Sequence, residues 1–157
     1  MATIHPYLTF NNTKKTLEYY KEVLGATNVS RMPVAPAQAE QFGVPADKAA
    51  DLTMHSQFDI LGSTVMAADN FMQMEPLVYD AVSILIDLNS EDEAEMEKAD
   101  AFWKKVIDSG TVKVNLAYEE QFWGGKMGDF TDKYGVRWML HAQPYSKIEA
   151  MLSASEH

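Results

Sequence analysis

One pattern occurs twice in this chain. Tyr19-Tyr20-Lys21-Glu22-Val23-Leu24 matches Phe102-Trp103-Lys104-Lys105-Val106-Ile107 class for class: an aromatic pair, a charged pair, an aliphatic pair. Each copy follows a β-rich run and precedes a glycine, Gly25 or Gly110, and then another β-rich run. Any amphipathic helix resembles any other, so the match by itself is weak. The shared order strand, helix, strand, strand, strand on both sides makes duplication the better account. The pattern predicts one α+β domain over 1–157 built from two βαβββ modules, 1–70 and 77–145. Each is expected to be a four-stranded, largely antiparallel sheet with its helix on the outer face. Closing side by side, the modules would form an open barrel-like cleft.

The local signals support that order. Ile4 to Phe10 alternates, with Ile4, Pro6, Leu8 and Phe10 on one face and His5, Tyr7 and Thr9 on the other. Asn11-Asn12-Thr13 supplies cap chemistry for a helix whose apolar stripe is Leu17, Tyr20, Val23 and Leu24. Ala26 to Val34 reads as a strand. Pro33, Pro36, Gly43 and Pro45 make the next stretch a loop, with Val44 to Lys48 expected to be exposed and mobile. Leu52 to Ile60 and Ser63 to Ala68 form a hairpin about Leu61-Gly62. FMQMEP, 71–76, is an apolar connector that should pack on something. Ala81 to Leu88 opens the second half, and Glu91-Asp92-Glu93 sits at the positive end of the next helix. Val112 to Glu119, Gly128 to Thr131 and Val136 to Ala142 are the remaining strands, and the segment from Ser146 is unplaced.

Composition narrows the chemistry. The 157 residues include 13 Lys+Arg against 23 Asp+Glu, a net charge of −10 that supplies no broad basic surface for nucleic acid. There is no cysteine, which excludes disulfides, thiolate metal sites and a Cys nucleophile. No apolar run approaches the roughly 18 residues of a membrane span, and the first residues lack the pattern of a secretory signal. A cytoplasmic protein with no nucleic-acid or membrane partner is the expectation.

The chain resembles the vicinal oxygen chelate superfamily, which holds glyoxalase I, bleomycin- and fosfomycin-resistance proteins and extradiol dioxygenases. Within it the likeness is to the PhnB-like, or 3-demethylubiquinone methyltransferase-like, branch. The residues that carry it are Pro6-Tyr7-Leu8-Thr9-Phe10-Asn11 and Leu17-Glu18-Tyr19-Tyr20-Lys21-Glu22-Val23-Leu24-Gly25. A second block, Phe122-Trp123-Gly124-Gly125-Lys126-Met127-Gly128 followed by Asp132-Lys133-Tyr134-Gly135-Val136-Arg137-Trp138, is more specific to the branch. The resemblance implies a divalent metal held by four strands, and its ligand positions fall on His5, near Met66, near Ser83 and on Met139. One imidazole, two thioethers and a hydroxyl do not make a site for Zn, Ni, Mn or Fe(II). No metal cofactor is therefore expected. The branch's methyltransferase label also lacks a Gly-rich loop for a nucleotide-bearing methyl donor.

The candidate site residues are accordingly ligand-binding ones: His5, His55, Met66, Ser83, Trp123, Met139 and His141. His5 is either a polar contact in the cleft or an exposed histidine near the chain start. His55, with Thr53 and Gln57, lines the cleft or forms the wet side of a half-buried strand. His141 shares Met139's face but lies near the strand end, at the rim. Trp123 sits in a Gly-rich connection, where a large aromatic suits a lid or an interface anchor. Trp138 belongs with Leu140 in the core. Met66 and Met139 offer flexible apolar surface to a ligand, or simply fill space. No catalytic residue stands out: Glu119 and Glu120 point to opposite faces, and no Ser has triad partners. Three functions compete: a binder of a small, partly apolar molecule with metal-independent chemistry, a metal-dependent enzyme using His5, His55 and His141, and a non-catalytic resistance-type protein. Open sheet edges and the apolar connector lead us to expect a homodimer.

Overall fold

The computed structural model describes residues 1–155 and divides into two units, Met1–Val78 and Tyr79–His157. The first begins with β1, Tyr7–Phe10, and Asn12 then caps α1, Thr13–Val23, by accepting from the Lys15 amide at 3.1 Å. Gly25 follows the helix end at φ 67°, the left-handed conformation that only glycine adopts without strain, and turns the chain into β2, Thr27–Pro33. A short helix α2, Pro36–Ala39, and two 3-10 turns, Glu40–Phe42 and Ala46–Asp51, lead to β3, Thr53–Ile60, and β4, Ser63–Asp69. The strand order is β1-β4-β3-β2, with β1 parallel to β4 and the other pairs antiparallel.

The second unit repeats this plan with β5 (Ser83–Asn89), α3 (Glu93–Asp108), β6 (Lys113–Glu120), β7 (Lys126–Thr131) and β8 (Arg137–Gln143). Its order is β5-β8-β7-β6, again with the first pair parallel. Both sheets are thus open and mixed, as the duplicated pattern requires apart from the parallel first pair. A C-terminal helix, α4, Tyr145–Ser155, completes the described chain.

One face of each sheet carries the core. Tyr20 is fully buried against Phe58 at 5.4 Å and Phe10 at 6.0 Å between ring centroids. Its counterpart in the repeat, Trp103, meets Phe130 at 5.9 Å and Tyr118 at 5.7 Å. The duplicated aromatic therefore does the same job twice, locking a helix onto the third strand of its unit. Trp138 and Leu140 are fully buried on this side. Asp69, itself buried, joins three elements: it accepts from the Thr13 amide at the start of α1 at 2.8 Å and from the Thr53 amide at the start of β3 at 3.1 Å.

One expectation needs correction, and the loop after β2 and the segment from Ser146 take on structure. The first strand starts at Tyr7, not Ile4, because Pro6 has no N–H; its carbonyl still accepts from the Met66 amide at 2.9 Å, but residues 1–5 are exposed and outside the ladder. His5 consequently precedes the strand. Residues 45–48 are exposed, as expected, while on either side of them Ala39 and Ala49 are buried with Val34 in a small second core, with Val44, Leu52, Met54 and Phe71 packed against it. Phe71, the first residue of the connector, stacks on Phe42 at 4.6 Å, whereas 72–76 are exposed, so the connector packs at its start alone. The segment from Ser146 is helical, with its start held by the end of β5 and the loop after it: Asn89 accepts from the Tyr145 amide at 3.2 Å, and Glu91 from the amide and hydroxyl of Ser146, both at 2.8 Å.

Candidate functional site

Strand alternation leaves each sheet with a helix-free face, the one turned away from α1 or α3. In the second unit the register Ser83↔Arg137, Leu85↔Met139 and Asp87↔His141 puts all six residues on that face, opposite the buried Trp138 and Leu140. Met127 and Asp129 join them from β7, across from His141 and Met139. Ser83, Met127, Met139 and His141 are half-buried, and Leu85 is exposed.

The centre of this face is His141. Its Nδ1 lies 2.8 Å from Asp87 Oδ1, and because a carboxylate only accepts, the ring donates there. Gln143 Nε2 steadies the other oxygen of Asp87 from 3.4 Å. The Trp123 ring lies over the imidazole with centroids 5.0 Å apart and planes inclined at 38°. Two backbone bonds, Gln121 N–H to Gly125 O at 2.7 Å and Gly124 N–H to Gln121 O at 3.0 Å, tighten the turn that carries Trp123. Gly125 is suited to close approach: a Cβ there would lie 1.8 Å from Trp123 Cζ3.

Farther along β8, Arg137 Nε lies 3.0 and 2.9 Å from the two oxygens of Asp129, with Nη2 donating as well, and Asn115 adds a bond at 3.0 Å. Burial alone would raise the Asp129 carboxyl, but the bonds from Arg137 and Asn115 and the guanidinium charge outweigh it and hold the group below the usual carboxylate range.

In the first unit the corresponding face carries Tyr7 and Met66, which are register partners, together with Gln57, His55 and Met32. The Tyr7 hydroxyl is 3.1 Å from His55 Nδ1, and both Tyr7 and Met32 are exposed. His5 is exposed, donating from Nδ1 to the Thr64 carbonyl at 3.2 Å, with Nε2 at 3.1 Å from the Thr3 hydroxyl. Within the first unit, then, His55 and Met66 share the helix-free face and His5 lies just outside β1. Within the second, Ser83, Met139 and His141 share such a face, and Trp123 reaches it from a turn. Sequence reasoning missed Asp87, Tyr7 as the partner of His55, and the Asp129–Arg137 pair. The alternation in AVSILIDL already placed Asp87 with Ser83 on the non-core side, a polar residue in an otherwise apolar strand.

The positions to which the resemblance assigns metal ligands fall on His5 and Met139 and near Met66 and Ser83, and two thioethers and a hydroxyl are poor donors for a hard or borderline divalent ion. Among the described residues no three His, Asp or Glu side chains gather as a metal-binding group. This residue set does not fit the metal centre.

Comparison with known proteins agrees with the fold. Residues 2–141 match the family model described as 3-demethylubiquinone-9 3-methyltransferase, and the chain belongs to that family. Escherichia coli protein YjdN is 26% identical over 145 residues, covering 88% of this chain and 93% of YjdN. The crystal structure of PA1353 from Pseudomonas aeruginosa superposes with a TM-score of 0.62 at 26% identity, over 92% of this chain and 99% of that one. A putative 3-demethylubiquinone-9 3-methyltransferase, the PhnB protein of Bacillus cereus, gives 0.59 at 18% identity over 90% and 100%. Glyoxalase/bleomycin resistance proteins from Albidiferax ferrireducens and Frankia, 11% and 12% identical, and a Mn(II)-bound fosfomycin resistance protein from Listeria monocytogenes, 14% identical, share the fold.

Proposed function

We propose that the protein binds a small, partly apolar molecule on the helix-free faces of its sheets, and that any chemistry there is carried by its own side chains rather than by a divalent cation. The observation behind this is the face formed by Ser83, Leu85, Met139 and His141, which combines apolar floor with polar handles, as small-molecule sites generally do. Thioethers at Met66 and Met139 turn would-be ligand positions into apolar, adaptable surface. The methyl transfer in the family's name is not part of the reading. The turns from β1 to α1, Asn11-Asn12, and from β5 to α3, Ser90-Glu91-Asp92, contain no glycine to let a nucleotide-bearing donor reach the backbone.

A thermal-shift screen of small aromatic and aliphatic metabolites tests this. Compounds that raise the melting temperature of the wild type should do so far less with Met139→Lys, and equally well with Lys98→Ala on the exposed side of α3. A library with no stabilising compound, or hits indifferent to Met139→Lys, contradicts the reading.

A further inference from the structure

We propose that Asp87 and His141 form a general-base site, with His141 Nε2 accepting a proton from a substrate whose apolar body lies along Met139 and Leu85. This rests on the reading of that face as a ligand site and assigns it a reaction class. The Nδ1–H bond to Asp87, at 2.8 Å, fixes the ring orientation and leaves Nε2 as the basic nitrogen. Nε2 has no partner among the described residues. The buried side-chain atoms lacking one are Thr13 Oγ1 and Tyr118 OH, so Nε2 is not sealed in. The His141 side chain is only 13% exposed, narrowed by the indole of Trp123, while Asp87 stands ready to stabilise the imidazolium formed by proton transfer.

What surrounds the base defines its substrate. In register, His141 is flanked by Asp87 on β5 and Met127 on β7, and Met139 lies about 7 Å along the strand on the same face. Apolar side chains and one oriented base favour a neutral, planar or conjugated molecule bearing an acidic C–H, with electrons moving into the conjugated system as the proton leaves.

The probe is 5-nitrobenzisoxazole, an apolar aromatic whose base-promoted ring opening needs no co-reactant. The C3 proton moves to His141 Nε2, the C–H electrons complete a nitrile, and the N–O bond breaks to leave a coloured cyanophenolate. The wild type should open it at least about tenfold faster than an equal concentration of free imidazole. His141→Gln should remove that excess and Asp87→Asn should cut it severalfold or more, with Lys98→Ala unchanged and folding confirmed by circular dichroism. A rate no better than imidazole, or one indifferent to His141→Gln, overturns the proposal. Nitrogen NMR of the wild type gives an independent arm: the neutral His141 ring should carry its proton on Nδ1, and a proton on Nε2 overturns the proposal whatever the probe does. If the probe perturbs Met139 and Leu85 resonances yet turns over without dependence on His141, the base fails and the ligand face stands.

Discussion

At the scale of single residues, the helix-free face is held by side chains that answer one another across strands. Asp129 is held tightly: the residue is 4% exposed, and its carboxylate accepts from both Arg137 and Asn115. Asp129→Asn removes the charge from these bonds and should cost about 1.5 kcal/mol, the low end for charged hydrogen bonds because the Arg137 side chain is 42% exposed. The pH dependence has a definite sign. A carboxyl lowered in the folded state contributes stability that is complete above its unfolded value, about 3.9, and is lost as pH falls through the folded value. Urea unfolding should show a gap between wild type and Asp129→Asn that is constant from pH 7 to 5 and shrinks below about pH 4. A gap that persists undiminished in acid contradicts the charge-based account.

These pairs also show what the sequence could reveal. Alternation in strands has a period of two, so the placement of Met66, Ser83, Met139, His55 and His141 away from the core was readable from their neighbours Phe58, Val65, Trp138 and Leu140. Partnership was not. Asp87 and His141 are 54 positions apart and meet only through the parallel register of β5 with β8. His5 misled for a different reason: Pro6 interrupts the amide ladder that alternation assumes.

At the scale of elements, the repeat was legible because the same aromatic step of each helix must bury against the same strand, and Tyr20 on Phe58 mirrors Trp103 on Phe130. Helix α4 was not legible, because none of its described residues is buried and its start is held from far away in the chain. The amide and hydroxyl of Ser146 both donate to Glu91 and hold its carboxyl below the usual range. Glu91→Gln should therefore loosen the first turn of α4 without moving the global melting temperature. Hydrogen exchange at Ser146 to Ile148 should speed up several-fold while β5 and β8 keep their protection. Unchanged exchange there would mean that Asn89 alone anchors the helix. In the loop after β2, Pro36, Gly43 and Pro45 read as irregular chain, yet the small residues Ala39 and Ala49 let its short turns pack against Val34.

At the scale of the whole molecule, the fold is shared with a Mn(II)-bound fosfomycin resistance protein, yet the positions to which the sequence resemblance assigns metal ligands carry two thioethers and a hydroxyl beside one imidazole. The account therefore turns on side-chain chemistry rather than a bound cation. Elemental analysis of protein purified without a histidine tag, and without chelator, tests this most directly. We predict zinc, nickel, manganese and iron each far below one ion per chain, with no change in ligand-induced thermal stabilisation when these ions are added. A stoichiometric ion that survives dialysis, and whose removal abolishes ligand binding, would contradict it.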